Sequence, residues 1–265
     1  MTCLGSIVAP VRRRYQRTLA DHFGRRVAVV SPGRPIVSFT FDDFPRSALH
    51  QGGAILLDRG FAGTYFASFG LMGQSAPTGE IFSRADLDEF QQRPHELACH
   101  TFDHCHSWDT PPSEFEASIL RNRQAVARLL PGVSLQSLSY PISCPRPQTK
   151  RRTAKYYCCA RGGGQTFNAG ITDLNYLKAF FIEQSRDNIR AIEEIIDANQ
   201  RANGWLIFAT HDVCESPTRF GCTPCLFEHV VDYAAKSGAT VLPVYQAWQQ
   251  ISLHSDRSAG RSSSS

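Results

Sequence analysis

The sequence predicts an α/β fold built on one parallel sheet, either doubly wound or closed into a barrel, and three observations predict it. Short, near-continuous apolar runs alternate with amphipathic helical stretches through most of the 265 residues. The runs are rich in β-branched and aromatic residues, as strands buried on both faces must be. No internal repeat or interdomain linker interrupts the alternation, and seven or eight strands suit a barrel better than two small domains.

Strands are expected at 35–41, 63–68, 96–99, 135–140, 155–160, 176–182, 205–210 and 240–245. Two helices are read from their periodicity. In 113–130, Phe115, Ile119, Val126 and Leu130 recur at helical spacing, with Ser113 and Glu116 as a capping box. In 186–204, Ile189, Ile192 and Ile196 share one face and Gly204 ends the helix. One domain over 34–250 is expected. It follows an N-terminal arm, 1–33, with no legible pattern, and precedes a low-complexity tail, 251–265, expected to be disordered.

Composition narrows the function classes. Hydrophobic residues at 42% and charged residues at 20% are ordinary for a soluble globular protein. A net charge of +4 is too mild to point to nucleic acid, and the runs Arg12-Arg13-Arg14 and Lys150-Arg151-Arg152 read as solvated surface. No run approaches the ~18–20 apolar residues of a membrane span. In MTCLGSIVAPVRRRYQ the arginines follow the apolar stretch, the reverse of an export signal, so a cytoplasmic location is expected. The nine cysteines then read as reduced thiols. Cys222 and Cys225 have CxxC spacing but no second pair, and Cys158 and Cys159 read as small buried hydrophobes. Oligomeric state is not legible.

Three expected strands end in residue types that catalysis uses, and in parallel α/β folds sites form at those ends. Asp42 and Asp43 follow IVSFTF, where alternation of faces would give neighbouring carboxylates different jobs. His100 follows ELAC, and His104 can point the same way if the segment turns helically. His211 follows WLIFAT. Two imidazoles and one carboxylate suit Zn²⁺ with a position open for water. Of the other residues in HELACHTFDHCH, His95 is expected at the surface and Cys99 in the core. Cys105 and His106 lie beyond the turn, near enough to touch a metal, and Asp103 reads as a loop-stabilising residue.

TFDD at 40–43, HTFDH at 100–104 and THD at 210–212, in this order, resemble the polysaccharide deacetylase family (NodB homology domain, carbohydrate esterase family 4). The resemblance implies a deformed (β/α) barrel of about seven parallel strands. It also implies a metal-dependent hydrolase that removes N-acetyl groups from an oligo- or polysaccharide, chitooligosaccharide-like or an exopolysaccharide. Asp43, His100 and His104 would hold the divalent metal, Asp42 would be the general base and His211 the general acid. A backbone N–H, that of Ile142, would steady the oxyanion. Zinc lowers the pKa of a bound water to about 7, and an amine leaves only when protonated, which is why these residue types are needed.

Two departures from the family pattern stand out. Where the family carries an arginine that steadies the base, this chain has Ser139, leaving Arg146 or Arg161 to reach in. Ala209 stands where a leucine would line the acetyl pocket, and the acid that orients His211 is open between Asp173 and Asp212. The alternatives are a same-fold hydrolase of O-acetyl esters or cyclic amides, and a catalytically dead carbohydrate-binding protein.

Overall fold

In the computed structural model, which describes residues 4–142 and 144–262, strands and helices alternate as expected. The barrel strands are β1 (Ile36–Asp42), β2 (Thr64–Ala67), β3 (Glu96–Cys99), β4 (Ser137–Ser139), β5 (Cys159–Arg161), β6 (Phe180–Phe181), β7 (Trp205–Thr210) and β8 (Thr240–Val241). They are parallel, in the order β6-β7-β1-β2-β3-β4-β5, and β8 pairs with the start of β1. Among the described residues no ladder joins β5 to β6; a parallel bridge from Arg161 to Leu177, ahead of β6, lies at that gap, and the curl is incomplete. This is the deformed barrel of about seven strands.

Alternation decides what lies inside. In β1, Val37, Phe39 and Phe41 pack outward under the helices, as do Leu206 and Phe208 of β7. Ile36, Phe66, Ala98, Cys159, Trp205, Ile207 and Ala209 pack together inside the curl. Extending that two-residue period along each strand brings Asp42, His100, Ser139, Arg161 and His211 to the interior face at the carboxyl ends.

Five expected strands, 63–68, 135–140, 155–160, 176–182 and 240–245, are shorter than the runs that suggest them. Residues 154–156 form the turn after a helix at Pro147–Thr153, where the Tyr156 hydroxyl donates to Glu116, so β5 begins at Cys159 and reaches Arg161. The 113–130 helix is present as Pro112–Leu129, but Pro111 is its N-cap without a side-chain bond. Glu116 is not a capping partner because it pairs with Arg152 and Lys155. The second helix is Ile189–Ala202, capped by Asn188 and ended by left-handed Asn203 ahead of Gly204. Ile192 and Ile196 are buried there, whereas Ile189, in the first turn, is exposed.

The N-terminal arm carries a helix, Leu4–His22, and a strand, Val27–Val30, antiparallel to Gly170–Asp173. Lys150 is not solvated surface. Its Nζ is buried, donating to the carbonyls of Ala20 (2.5 Å) and Phe23 (2.8 Å) and pairing with Asp173 (2.5 Å). The carbonyls freed at the end of the N-terminal helix need such a donor, and an isolated lysine in the interior would need such a counter-charge. At the other end, the helix Val244–Ser262 runs into the serine-rich stretch expected to be unstructured; residues 263–265 lie outside the described residues. Among the described residues no helix is long and apolar enough to cross a membrane.

Candidate active site

Register brings the catalytic candidates level with one another. Thr210 of β7 pairs with Phe41 of β1, so His211 leaves its strand beside Asp42. Cys99 pairs with Leu138 and Ser139 with Arg161, so His100, Ser139 and Arg161 lie in one row. Asp42 is the last residue of β1 and faces inward; Asp43 should face out. It does not, because its φ of 62° lies in the left-handed region, which aspartate tolerates better than most residues. This turn at the strand end brings both carboxylates to the same site.

His104 reaches the site by a related device. The segment after His100 is not helical: Thr101 and His104 have φ values of 59° and 52°. Asp103 secures this loop by accepting from Ser118 Oγ (2.6 Å) and Arg121, and Cys105 N donates to Thr101 Oγ1 (3.0 Å). His106 turns to Asp109 at 2.5 Å and takes no part in the cluster. Cys99 is buried in the outer core and accepts from Asn122 Nδ2.

Asp43, His100 and His104 converge. Asp43 Oδ1 lies 3.0 Å from His104 Nε2 and 3.4 Å from His100 Nε2, yet it is buried and takes no well-aligned hydrogen bond. His100 Nδ1 meets the Ser139 carbonyl at 2.9 Å. A carbonyl only accepts, so Nδ1 carries a proton, which leaves Nε2, on the Asp43 side, as the nitrogen available to a metal ion. Asp43 Oδ2 accepts from Thr78 Oγ1 at 2.9 Å. Burial pushes the Asp43 carboxyl up, but the two imidazoles outweigh it and hold it well below the usual range. An ionised oxygen and two imidazole nitrogens aimed at one point fit a divalent cation.

Asp42 is a different kind of carboxylate. It is 4% exposed, and Arg161 Nη2 donates to its Oδ1. Burial raises its pKa, and Arg161 first, then His100 and His211, more than reverse that, so it is ionised. Arg146 does not reach in; it donates to the Trp108 carbonyl and lies over that indole. His211 Nδ1 meets the Phe220 carbonyl at 3.1 Å, and its ring is flanked by Phe181 and Phe220. Neither aspartate considered for it touches it. Asp173 serves Lys150, and Asp212 accepts from Thr218. Ile142, at φ 69° just after β4, is two-thirds exposed; Ser143 beyond it lies outside the described residues.

The family model for polysaccharide deacetylase matches residues 30–157, which hold TFDD, HTFDH and the strand to Ser139. Over these residues the chain is similar to the polysaccharide deacetylase family. The fold of solved structures agrees. The chitin deacetylase from the fungal pathogen Colletotrichum lindemuthianum superposes with a TM-score of 0.60 at 16% identity, over 85% of this chain and 92% of that one. The peptidoglycan deacetylase PdaC from Bacillus subtilis, in a D285S mutant, gives 0.59 at 14% identity, over 88% and 99%. A family 4 pseudoenzyme from Bacillus anthracis gives 0.57 at 8% identity, over 82% and 66%. Comparison with curated proteins finds no match.

Around this site, three residues escape a reading of motifs. Thr78 comes from a small hairpin, Ser75–Ala76 with Gly79–Glu80, that has no apolar pattern. Phe220 acts through its carbonyl, which no side-chain signature reveals. Glu183, just after β6, is half-buried, and burial with the added charge of Asp42 pushes its carboxyl up to about 8. His95, expected at the surface, is 8% exposed and accepts from Gly63 N at the opposite end of the barrel.

Proposed function

We propose that this protein is a divalent-metal hydrolase that removes N-acetyl groups from an oligo- or polysaccharide, with Asp43, His100 and His104 holding the cation. Zinc suits the two-imidazole, one-carboxylate donor set best. The observation that carries the reading is the convergence of that triad beside a separately held Asp42 and His211. The fold's relatives, among them a chitin deacetylase and a peptidoglycan deacetylase, support an N-acetylated glycan as substrate.

When bound, the cation acidifies water and polarises the acyl carbonyl. Asp42, ionised and paired on only one oxygen with Arg161, is free to take the proton of the attacking water. The Ile142 N–H belongs to the backbone, so the oxyanion donor does not depend on the side chain at this position. His211 gives its Nδ1–H to Phe220, so the proton passed to the departing amine comes from Nε2 of the imidazolium. Arg161 on Asp42 removes the main argument for a dead binding protein, the absence of an arginine at Ser139.

The test is acetate release from N-acetylated and O-acetylated sugars, each with and without a chelator. Chelator-sensitive release from the N-acetyl substrates is expected. Release only from O-acetyl substrates would favour the esterase alternative, and glycan binding without release would favour the binding protein.

A further inference from the structure

We propose that Arg161 is the positioning residue for Asp42, and that Ser139 is kept small because it shares one interior seat with that guanidinium. The inference rests on the deacetylase reading for what Asp42 does, and on packing alone for the shared seat.

Ser139 and Arg161 are register partners in the β4–β5 ladder, so their side chains leave neighbouring strands, about 4.8 Å apart, on the same face. Both are buried, Arg161 at 1% exposure and Ser139 at 0%. Arg161 crosses the interior to Asp42 Oδ1. Its guanidinium lies 4.7 Å from the Phe66 ring centroid and 5.8 Å from that of Phe181. Enclosed in this way it does not reach substrate. It fixes which Asp42 oxygen is occupied and leaves the other to act as base. Phe181 also stacks on His211 with 6.4 Å between centroids, so one ring braces both proton-transfer partners.

Ser139 contributes its main chain to His100, while its own Oγ is buried with no hydrogen-bond partner. The hydroxyl is therefore not what this position contributes; its main chain and the small volume of its side chain are. A long side chain at 139 would occupy the space the Arg161 side chain crosses. A second cation there would set two guanidinium groups a strand spacing apart in a dry interior facing one carboxylate. The seat therefore accepts one arginine, from either strand.

The test is a cycle of Arg161→Ser, Ser139→Arg and the double variant, read by thermal unfolding, metal content and steady-state kinetics on an N-acetylated chitooligosaccharide. Each single change should lower Tm by about 5 °C or more, Arg161→Ser because it strands Asp42 without a counter-charge. The double variant should recover at least half of that loss. Arg161→Ser should lower kcat at least about tenfold with KM and bound metal near wild type, and the double variant should regain most of the turnover. Tm losses that simply add in the double variant would overturn the shared seat. A kcat that Arg161→Ser leaves unchanged would overturn the positioning role. Wild-type protein that releases no acetate would refute the deacetylase reading and with it the positioning role, while the unfolding cycle still decides the seat.

Discussion

His211 gives its Nδ1–H to the main-chain carbonyl of Phe220, 3.1 Å away, and to no carboxylate. A carbonyl fixes the tautomer as firmly as an acid does, without adding a second negative charge beside Asp42. Its position depends on Asp212. That carboxylate accepts from Thr218 N (2.7 Å) and Thr218 Oγ1 (2.6 Å), and Thr218 Oγ1 in turn accepts from Phe220 N (3.2 Å). Gly221 packs so closely that a Cβ would lie 2.3 Å from the Asp212 carbonyl oxygen.

Asp212→Ala should therefore loosen the loop that carries the Phe220 carbonyl and lower kcat about 10–100-fold, the range seen when an outer partner of a catalytic imidazole is removed. Metal per chain should stay at the wild-type level. Kinetics and metal analysis on the same preparation check this; unchanged kcat would mean the loop does not orient His211.

Thr78 should matter for the metal and not for proton transfer. Its hydroxyl holds Asp43 Oδ2 and so orients the other oxygen toward the two imidazoles. Thr78→Val should weaken metal affinity about 10–100-fold in a competition titration with a chelator. With metal in excess, kcat should return close to wild type.

His95 gives a pH dependence with a definite sign. Burial first, then the charge of Arg93, lower its pKa from 6.5 to about 4 in the folded chain. Between those values the unfolded chain binds the proton and the folded chain does not. Its contribution is therefore complete above pH 6.5, falls as the pH drops toward 4 and levels off below that. The full shift corresponds to about 3 kcal/mol. His95→Gln should unfold with a shallower loss of stability than wild type between pH 7 and 4 in denaturant titrations. Parallel curves would show that His95 is not buried as a neutral ring.

The barrel and the site differ in how far the sequence announces them. Continuous apolar runs such as 205–210 mark strands buried on both faces, and β7 is buried throughout. The strand-end residues Asp42, His100 and His211 follow from those runs together with side-chain alternation. Asp43 and His104 are visible as residue types, but their convergence depends on left-handed backbone at positions where no glycine signals it. Arg161 is legible only as one of two candidates beside Arg146, because the apolar run suggests a strand at 155–160, one residue short of it. His95 and Lys150 illustrate the opposite error. Polar residue types suggested surface, whereas Gly63 N supplies a hydrogen bond that accommodates His95 in the interior, and Asp173 with two free carbonyls does the same for Lys150.

The most direct measurement pairs Asp43→Ala with Asp42→Asn and determines metal per chain alongside acetate release. Asp43→Ala should lose both the metal and turnover. Asp42→Asn should keep wild-type metal and lose at least about a hundredfold in kcat, as expected when a general base is removed. Full activity in Asp42→Asn, or wild-type metal retained by Asp43→Ala, would contradict the division of labour between these adjacent carboxylates.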